Sequence, residues 1–332
     1  MVGNYRKSTA VALYFVLLMM LMCVTMNKYP YNEHQHQKEI LHRLDGPLTP
    51  DDPKLVEYVR QRFLNPPSTE QYNLVEEYPG SEYHPGGSYK CCSWTFYNRA
   101  LKDLYKNFPP GFFIEAGALD GEYLSNTLYL ERELGWTGLL VEADSDMFKR
   151  LVKKNRKAWA SNSCLATTPY PIQDTLVKYN KPLTDEEKKA SIHARDVRPH
   201  GLGTLSGSKD MAARTSRGFP VFEPVQCLPF HTLLLALNRE KVDLVSLDVE
   251  DAEMEILRLF PWDQVQVDVW LIEHRPKNDH FDQMTSGDPQ FVKWFESLGY
   301  RLYDFHIDYA DYIFVHNGSD IYHIAFATHN QG

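Results

Sequence analysis

The chain has 332 residues, enough to bury a sizeable core in one large domain or two modest ones. Its formal net charge is -9, from 44 acidic and 35 basic side chains, which argues against general affinity for nucleic acid. No block of like charge is long enough to indicate a disordered charged tail.

The first feature in chain order is an uncharged, mostly apolar segment at residues 10–26, whose length approaches that of a bilayer-spanning helix. Arg6 and Lys7 precede it and Lys28 follows, which favours a cytoplasmic amino end. No small-residue cleavage site follows the segment, so we expect an uncleaved signal anchor behind a cytoplasmic tail at 1–9. The chain is then a single-pass type II membrane protein of the ER, Golgi, endosome or plasma membrane, with its main domain luminal or extracellular.

A polar stretch at residues 27–50 has no hydrophobic period and predicts a stalk. Residues 51–108 predict a helical lead-in, with one helix between 51 and 64 that is closed by prolines. A second helical pattern runs from Ser93 to Phe108 and stops at another pair of prolines.

Two features agree with an oxidising compartment. Asn317-Gly-Ser319 is an N-glycosylation acceptor pattern. The cysteines outside the anchor are Cys91, Cys92, Cys164 and Cys227. Their even number is compatible with disulfides, with three pairings open, or they are buried thiols. Because adjacent cysteines rarely bond each other, we predict that Cys91 and Cys92 pair separately with the other two.

A glycine-rich turn follows the short buried strand that is predicted at residues 112–114. Glu115, Gly117 and Gly121 stand at the spacing E-x-G-x-x-x-G, where glycines permit a tight turn and close backbone approach to a ligand. Residues 123–134 then carry a helical stripe. The spacing is not the dinucleotide fingerprint G-x-G-x-x-G, and it is similar to the first motif of S-adenosylmethionine methyltransferases.

A second strand, predicted at residues 137–141, ends at Glu142. In nucleoside-binding α/β folds an acid at this place accepts hydrogen bonds from ribose hydroxyls. A helix from about 145 to 157 follows Asp144, which is placed to cap it. Glu142 is therefore a candidate ribose ligand.

A long insertion at residues 168–220 follows a third strand, predicted at 163–166. The insertion has many charges and little apolar periodicity, so it predicts an irregular substrate lid or a partner-binding segment. The elements predicted after it are a strand at 242–247, a helix at 254–260, a strand at 267–272, a helix at 289–298 and an antiparallel pair at 300–305 and 312–315. This alternation predicts one α/β domain over residues 109–325.

With these elements placed, residues 112–315 resemble the FkbM-type methyltransferases. The motifs that carry the resemblance are Phe113-Ile-Glu-Ala-Gly-Ala-Leu-Asp-Gly121, Ser125-Asn-Thr-Leu-Tyr-Leu-Glu131, Gly138-Leu-Leu-Val-Glu142 and Asp243-Leu-Val-Ser-Leu-Asp-Val-Glu-Asp-Ala-Glu253. The anchor, together with residues 56–68, also makes the chain similar to the Star-like membrane proteins of arthropods.

The resemblance implies a Rossmann-like, seven-stranded methyltransferase sheet with S-adenosylmethionine as cofactor. It implies O-methylation of a hydroxyl-bearing acceptor, often a sugar or small metabolite. The residues that it places at the cofactor are Glu115, Gly117, Asp120 and Gly121 around the methionine and ribose portion, and Glu142 at the ribose. Two positions depart from the family: Asp251 replaces the glycine of D-V-E-G-A-E, and Ser246 stands where many members carry lysine. Both departures change charge beside the expected site and bear on catalysis rather than on fold.

Methyl transfer to a hydroxyl needs the acceptor held in line with the methyl group and its proton removed by a nearby base. The candidate catalytic residues at the strand ends are Asp248, Glu250, Glu273 and His274, with Asp248 and His274 first. Two separated acids are poor grounds for a metal site, and we predict none.

Two other functions fit the same layout. The first is a non-catalytic, Star-like regulator that binds secretory cargo and acts in ER-to-Golgi or endosomal trafficking of growth-factor-receptor ligands. The second is a glycosyltransferase, which needs a metal-binding D-x-D. Asp144-Ser-Asp146 fits that string, but its position at a helix start predicts a cap instead.

Overall fold

The computed structural model describes residues 48–74, 93–180, 203–206, 219–275, 287–307 and 310–327. The predicted tail, the anchor at 10–26, nearly all of the stalk, and Cys91 and Cys92 lie outside these residues. Among the described residues, no helix has the length and apolar character needed to cross a membrane. The membrane anchor and its topology therefore stay predictions.

The helices are α1 Pro53–Arg62, α2 Ser93–Tyr105, α3 Leu128–Leu134, α4 Ser145–Val152, α5 Phe230–Ala236, α6 Glu253–Arg258, α7 Pro289–Ser297 and α8 Ile321–Ala327. The strands are β1 Phe112–Ala116, β2 Thr137–Val141, β3 Trp159–Ser161, β4 Cys164–Leu165, β5 Ile172–Asn180, β6 Thr204–Leu205, β7 Phe219–Leu228, β8 Lys241–Leu247, β9 Gln266–Glu273, β10 Tyr300–His306 and β11 Asp311–His316.

Seven strands form the main sheet in the order β10-β11-β9-β8-β1-β2-β3. Strands β3, β2, β1, β8 and β9 run parallel, and β11 pairs antiparallel with both β9 and β10. Every residue of β1 is buried, as expected for a central parallel strand covered on both faces. The α/β class expected from the sequence is confirmed.

The strand order reverses beside β1, because the chain goes from β1 to β2 and β3 on one side and later returns to β8 on the other. In open α/β sheets a crevice for ligands lies outside the carboxyl ends of the strands at such a point. The residues that follow β1, β2 and β8 are therefore brought to one edge of the main sheet.

A second, four-stranded sheet has the order β4-β7-β5-β6. Strands β5 and β7 pair antiparallel along their length, from Ile172 opposite Cys227 to Asn180 opposite Phe219. The expectation of an irregular segment throughout 168–220 is thus wrong, because a sheet pairing between distant segments leaves no local periodicity to read. The third strand of the main sheet is Trp159–Ser161, and Cys164–Leu165 belongs to the second sheet.

Two predicted helices are shorter than their apolar pattern suggests. The helix after the glycine turn begins only at Leu128. Leu124 has a φ of 57°, which is not helical, and residues 125–127 donate hydrogen bonds to the Glu115 carboxylate. The helix after β2 ends at Val152, before Asn155 at a φ of 57°. Its predicted cap is confirmed: the Asp144 carboxylate accepts hydrogen bonds from the amides of the first turn.

Within the described part of the chain, a disulfide joins Cys164 to Cys227, so the predicted pairing of these residues with Cys91 and Cys92 is wrong. The two cysteines are direct partners in the parallel pair of β4 and β7, with their Cα atoms 4.2 Å apart. This proximity depends on the register of the second sheet, which the cysteine spacing does not reveal.

We predict that peptide mapping without reduction recovers a Cys164–Cys227 linked pair, and that Cys227→Ser lowers the free energy of unfolding by about 3 kcal/mol. The physical reason is that the bond closes a long loop, with a sequence separation of 63 residues. Urea unfolding of the oxidised wild type, the variant and the reduced wild type measures the effect. Equal stability in all three would contradict it.

Candidate active site

One cavity opens at the carboxyl edge of the main sheet. It is lined by Gly117 after β1, Glu142 after β2 and Asp248 after β8. The other lining residues are Leu119, Val141, Ala143, Asp144, Ser163, Cys164, Leu165, Leu176, Gly203, Leu205, Val249, Glu250, Ala252 and Ile256. The cavity thus lies where the strand order reverses, and it has walls from both sheets.

Gly117 is required at the end of β1. Its φ is 87°, and a Cβ atom built there would lie 1.9 Å from the carbonyl oxygen of Asp248. Any side chain would therefore push the ends of β1 and β8 apart. The glycine that the sequence motif singles out lets these two strand ends meet at the cavity.

Glu142 is buried at the cavity, with 6% of its surface exposed. Its Oε2 accepts a hydrogen bond from the Leu119 amide at 2.7 Å, and its Oε1 accepts one from the Asp144 amide at 2.7 Å. Burial raises the pKa of Glu142 to about 8. Each carboxyl oxygen accepts one of these amide bonds and keeps a position for a ligand hydroxyl, whether the group is ionised or protonated.

Glu115 is held by its own chain. Its Oε2 accepts hydrogen bonds from the hydroxyls of Ser125 at 2.8 Å and Thr127 at 2.5 Å, and its Oε1 accepts one from the Asn126 amide at 2.8 Å. Burial raises the pKa of Glu115, against the opposing effect of the nearby Arg156 guanidinium. The carboxylate does not line the cavity, and this geometry gives it a positioning role for residues 125–127.

Arg156 joins this group to α3. Its Nε donates to Glu131 Oε2 at 2.9 Å, and its two other nitrogens donate to the Ser125 and Thr127 hydroxyls and to the carbonyl of Gly121. Arg156 and Glu131 are both buried. The Ser125–Glu131 motif therefore holds two buried charges. Ser125 and Thr127 bind both Glu115 and Arg156, and Glu131 binds Arg156.

Asp120 and Gly121 lie in the turn behind the cavity. Asp120 Oδ1 accepts hydrogen bonds from the amides of Glu122 and Tyr123, and its Oδ2 lies 3.3 Å from Lys154 Nζ. Gly121 has a φ of 76°, is absent from the cavity lining, and lies so close to α4 that a Cβ atom built there would be 2.9 Å from Leu151 Cγ. For both residues, a contact with a cofactor stays a prediction.

Three of the candidate catalytic acids come together. Asp248 and Glu250 line the cavity, and a hydrogen bond connects Asp248 with Glu273. Burial, followed by the negative charge of Glu273 and of nearby acids, raises the pKa of Asp248 well above its usual range. Of this group, Asp248 is therefore the acid that holds its proton more tightly than an ordinary carboxyl, with Glu273 beside it at the end of β9.

His274, the fourth candidate, packs against α7. Its ring packs on Phe291 with 4.1 Å between ring centroids, and its Nε2 lies 3.5 Å from Asp288 Oδ2 at the start of α7. It is absent from the lining of the cavity. The catalytic role of His274 therefore stays a prediction.

The two family departures are accommodated by their neighbours. Glu250 and Asp251 adopt left-handed conformations, with φ of 58° and 83°, so Asp251 keeps a backbone shape that favours glycine. The buried Glu253 holds the turn by accepting a hydrogen bond from the Val249 amide at 2.9 Å. Ser246 accepts a hydrogen bond from the Asn126 side chain at 3.0 Å.

Sequence reasoning missed the wall that the second sheet supplies. Leu165, Leu176 and Leu205 line the cavity from β4, β5 and β6. No local signal marks Leu176 and Leu205, because their position depends on strand pairing within the insertion; Leu165 lies in the strand predicted at 163–166, but that strand belongs to the second sheet. It also missed Glu253, whose pKa burial raises to about 8.

The family model described as Methyltransferase FkbM domain matches residues 115–302. The chain belongs to the FkbM methyltransferase domain family. A solved structure described as the plantazolicin methyltransferase BpumL in complex with SAH is similar to 71% of this FkbM chain and to 74% of its own, at 11% identity and a TM-score of 0.28. No curated protein matched the chain.

We predict that Arg156→Leu lowers the free energy of unfolding by about 3 to 5 kcal/mol, because it leaves buried carboxylates without their cation. The matched control is Arg150→Leu on the exposed side of α4, which we expect to change stability by less than about 0.5 kcal/mol. Chemical denaturation of both variants provides the comparison. Similar losses in the two would show that the buried network is not what stabilises this region.

We predict that stability falls as pH rises from about 4.5 to about 8, and that Glu142→Gln reduces this fall. An unfolded glutamate ionises near pH 4.5, whereas folded Glu142 keeps its proton up to about pH 8. Its stabilising contribution is therefore complete below the lower value and lost through the higher one. Unfolding curves across this range, with exposed Glu133→Gln as control, test the effect. An unchanged slope in Glu142→Gln would refute it.

Proposed function

We propose that this FkbM chain transfers a methyl group from S-adenosylmethionine to a hydroxyl of an acceptor molecule. The observation that carries the proposal is the pairing of Gly117 and Glu142 in one cavity at the reversal of the strand order. The glycine leaves bare backbone for close approach, and the carboxylate has acceptor positions for the two ribose hydroxyls. When bound, the cofactor supplies a sulfonium whose methyl group is open to in-line attack.

The acceptor proton has a destination in the same cavity. Asp248 lines it, and a hydrogen bond connects Asp248 with Glu273 at the end of β9. In its ionised form, Asp248 can take a proton from an acceptor hydroxyl within hydrogen-bond reach, and its raised pKa makes it a stronger base than an ordinary carboxylate. Asp248 is therefore the proposed base, with Glu273 as the neighbour whose negative charge helps to raise its pKa.

We further propose that the domain works in the lumen of the secretory pathway or outside the cell, held to the membrane through residues 10–26. The Cys164–Cys227 disulfide supports this setting, because such bonds persist in oxidising compartments. Asn317 of the glycosylation pattern is exposed, as a glycosylated residue must be.

We predict that the purified 332-residue chain binds S-adenosylmethionine with micromolar affinity, and that Glu142→Ala weakens binding roughly 10- to 100-fold by removing two hydrogen bonds with the ribose hydroxyls. Isothermal titration calorimetry measures the affinity, with exposed Glu133→Ala as the control.

Two results would contradict the proposal. Binding that Glu142→Ala leaves intact would move the ribose away from this cavity. No binding by folded wild-type protein would remove the cofactor and favour the non-catalytic regulator of secretory cargo, for which a search for protein partners is the next step.

A further inference from the structure

The cavity has an apolar wall built by the inserted second sheet. Leu176 of β5 and Leu205 of β6 are direct partners in their antiparallel pair, so their side chains lie side by side on one face. Both are buried, and both line the cavity. Leu165 of β4 extends the same wall.

The main sheet contributes the polar end of the cavity. Glu142 lies there, and Leu119 and Val141 flank it as further apolar lining. Adenosine has a matching division, with a diol on its ribose and a flat, apolar purine face. Once the diol is bound at Glu142, the purine has to find an apolar surface in the rest of the cavity.

We infer that Leu176 and Leu205 form the surface against which the purine of the cofactor packs, and that the Cys164–Cys227 disulfide fixes this wall in place. The inference rests on the proposed function, because it assumes an adenosine-containing cofactor. It assigns a binding role to the insertion, which its sequence alone leaves open between a lid and a partner site.

The disulfide is suited to this positioning role. Strand β4 has only two residues, so few backbone hydrogen bonds hold it. Cys164 lines the cavity beside Leu165, and its bond to Cys227 ties β4 to β7, the long strand that pairs with β5. Without the bond, the short strand is free to shift and take Leu165 with it.

A second attachment joins this sheet to the edge of the main sheet. Lys178 Nζ of β5 lies 2.6 Å from Glu223 Oε2 of β7 and 3.2 Å from Asp144 Oδ2 at the start of α4. Glu223 also accepts a hydrogen bond from the Ser145 amide at 3.2 Å. The wall is thus held by an ionic contact near Glu142 and by the disulfide at β4.

The first test compares neighbouring residues of β5. Leu176→Ala removes cavity lining, whereas Val177→Ala removes a side chain that is equally buried but absent from the lining. We expect Leu176→Ala and Leu205→Ala each to weaken binding of S-adenosylhomocysteine roughly tenfold by calorimetry, and Val177→Ala to leave it within about twofold. Urea unfolding of each variant confirms that folded protein is compared.

The second test uses 5′-methylthioadenosine, which has the purine and ribose but no amino-acid portion. If the wall contacts the purine, Leu176→Ala weakens both ligands by the same factor. A loss seen with S-adenosylhomocysteine alone would place the wall at the amino-acid end and overturn the inference. If the wild type binds but Leu176→Ala and Val177→Ala bind equally well, the inference about the wall is also overturned and the proposed function is left intact. If the wild type binds neither ligand, the proposed function itself is refuted.

The third test addresses the disulfide. Cys227→Ser breaks the bond without removing a residue that lines the cavity. We expect several-fold weaker binding of S-adenosylhomocysteine, and the same loss when the wild type is treated with reductant. Unchanged affinity in folded Cys227→Ser would show that the disulfide does not fix the wall.

Discussion

The buried ionic network around Arg156 is the constraint on which the candidate site depends. It brings Glu115 at the end of β1, the hydroxyls of residues 125–127 and Glu131 of α3 into one set of hydrogen bonds. Charges this deep are tolerated only when every partner is present. The glycine turn runs between these anchored points, so the backbone at Gly117 is fixed by groups that never reach the cavity.

The site divides its work between two sheets. The main sheet supplies the polar edge, where Glu142 and Asp248 meet at the strand ends. The second sheet supplies apolar surface, and its leucines face the same cavity. A polar edge alone would bind a sugar weakly in water; an apolar wall beside it excludes solvent and strengthens each hydrogen bond that forms there.

Sequence patterns predicted the order of most helices and strands, because apolar periodicity is local. They also placed Glu142, Asp248 and Glu250 at strand ends, where the cavity lies. The sequence motif did not reveal that Glu115 accepts hydrogen bonds from residues 125–127. An acid that binds its own chain and an acid that binds a ligand can occupy the same position of such a motif. The second sheet and the Cys164–Cys227 bond depend on register between distant segments, for which no local signal exists.

The turn at Glu250 and Asp251 shows how a motif can change in letters while its backbone keeps its shape. Two consecutive left-handed residues other than glycine each cost roughly 1 kcal/mol or more, and the contacts of Val249 and Thr204 hold them there. This cost is already met before any ligand arrives. An arriving molecule that lets Glu250 relax at this edge of the cavity would recover part of that free energy as binding affinity.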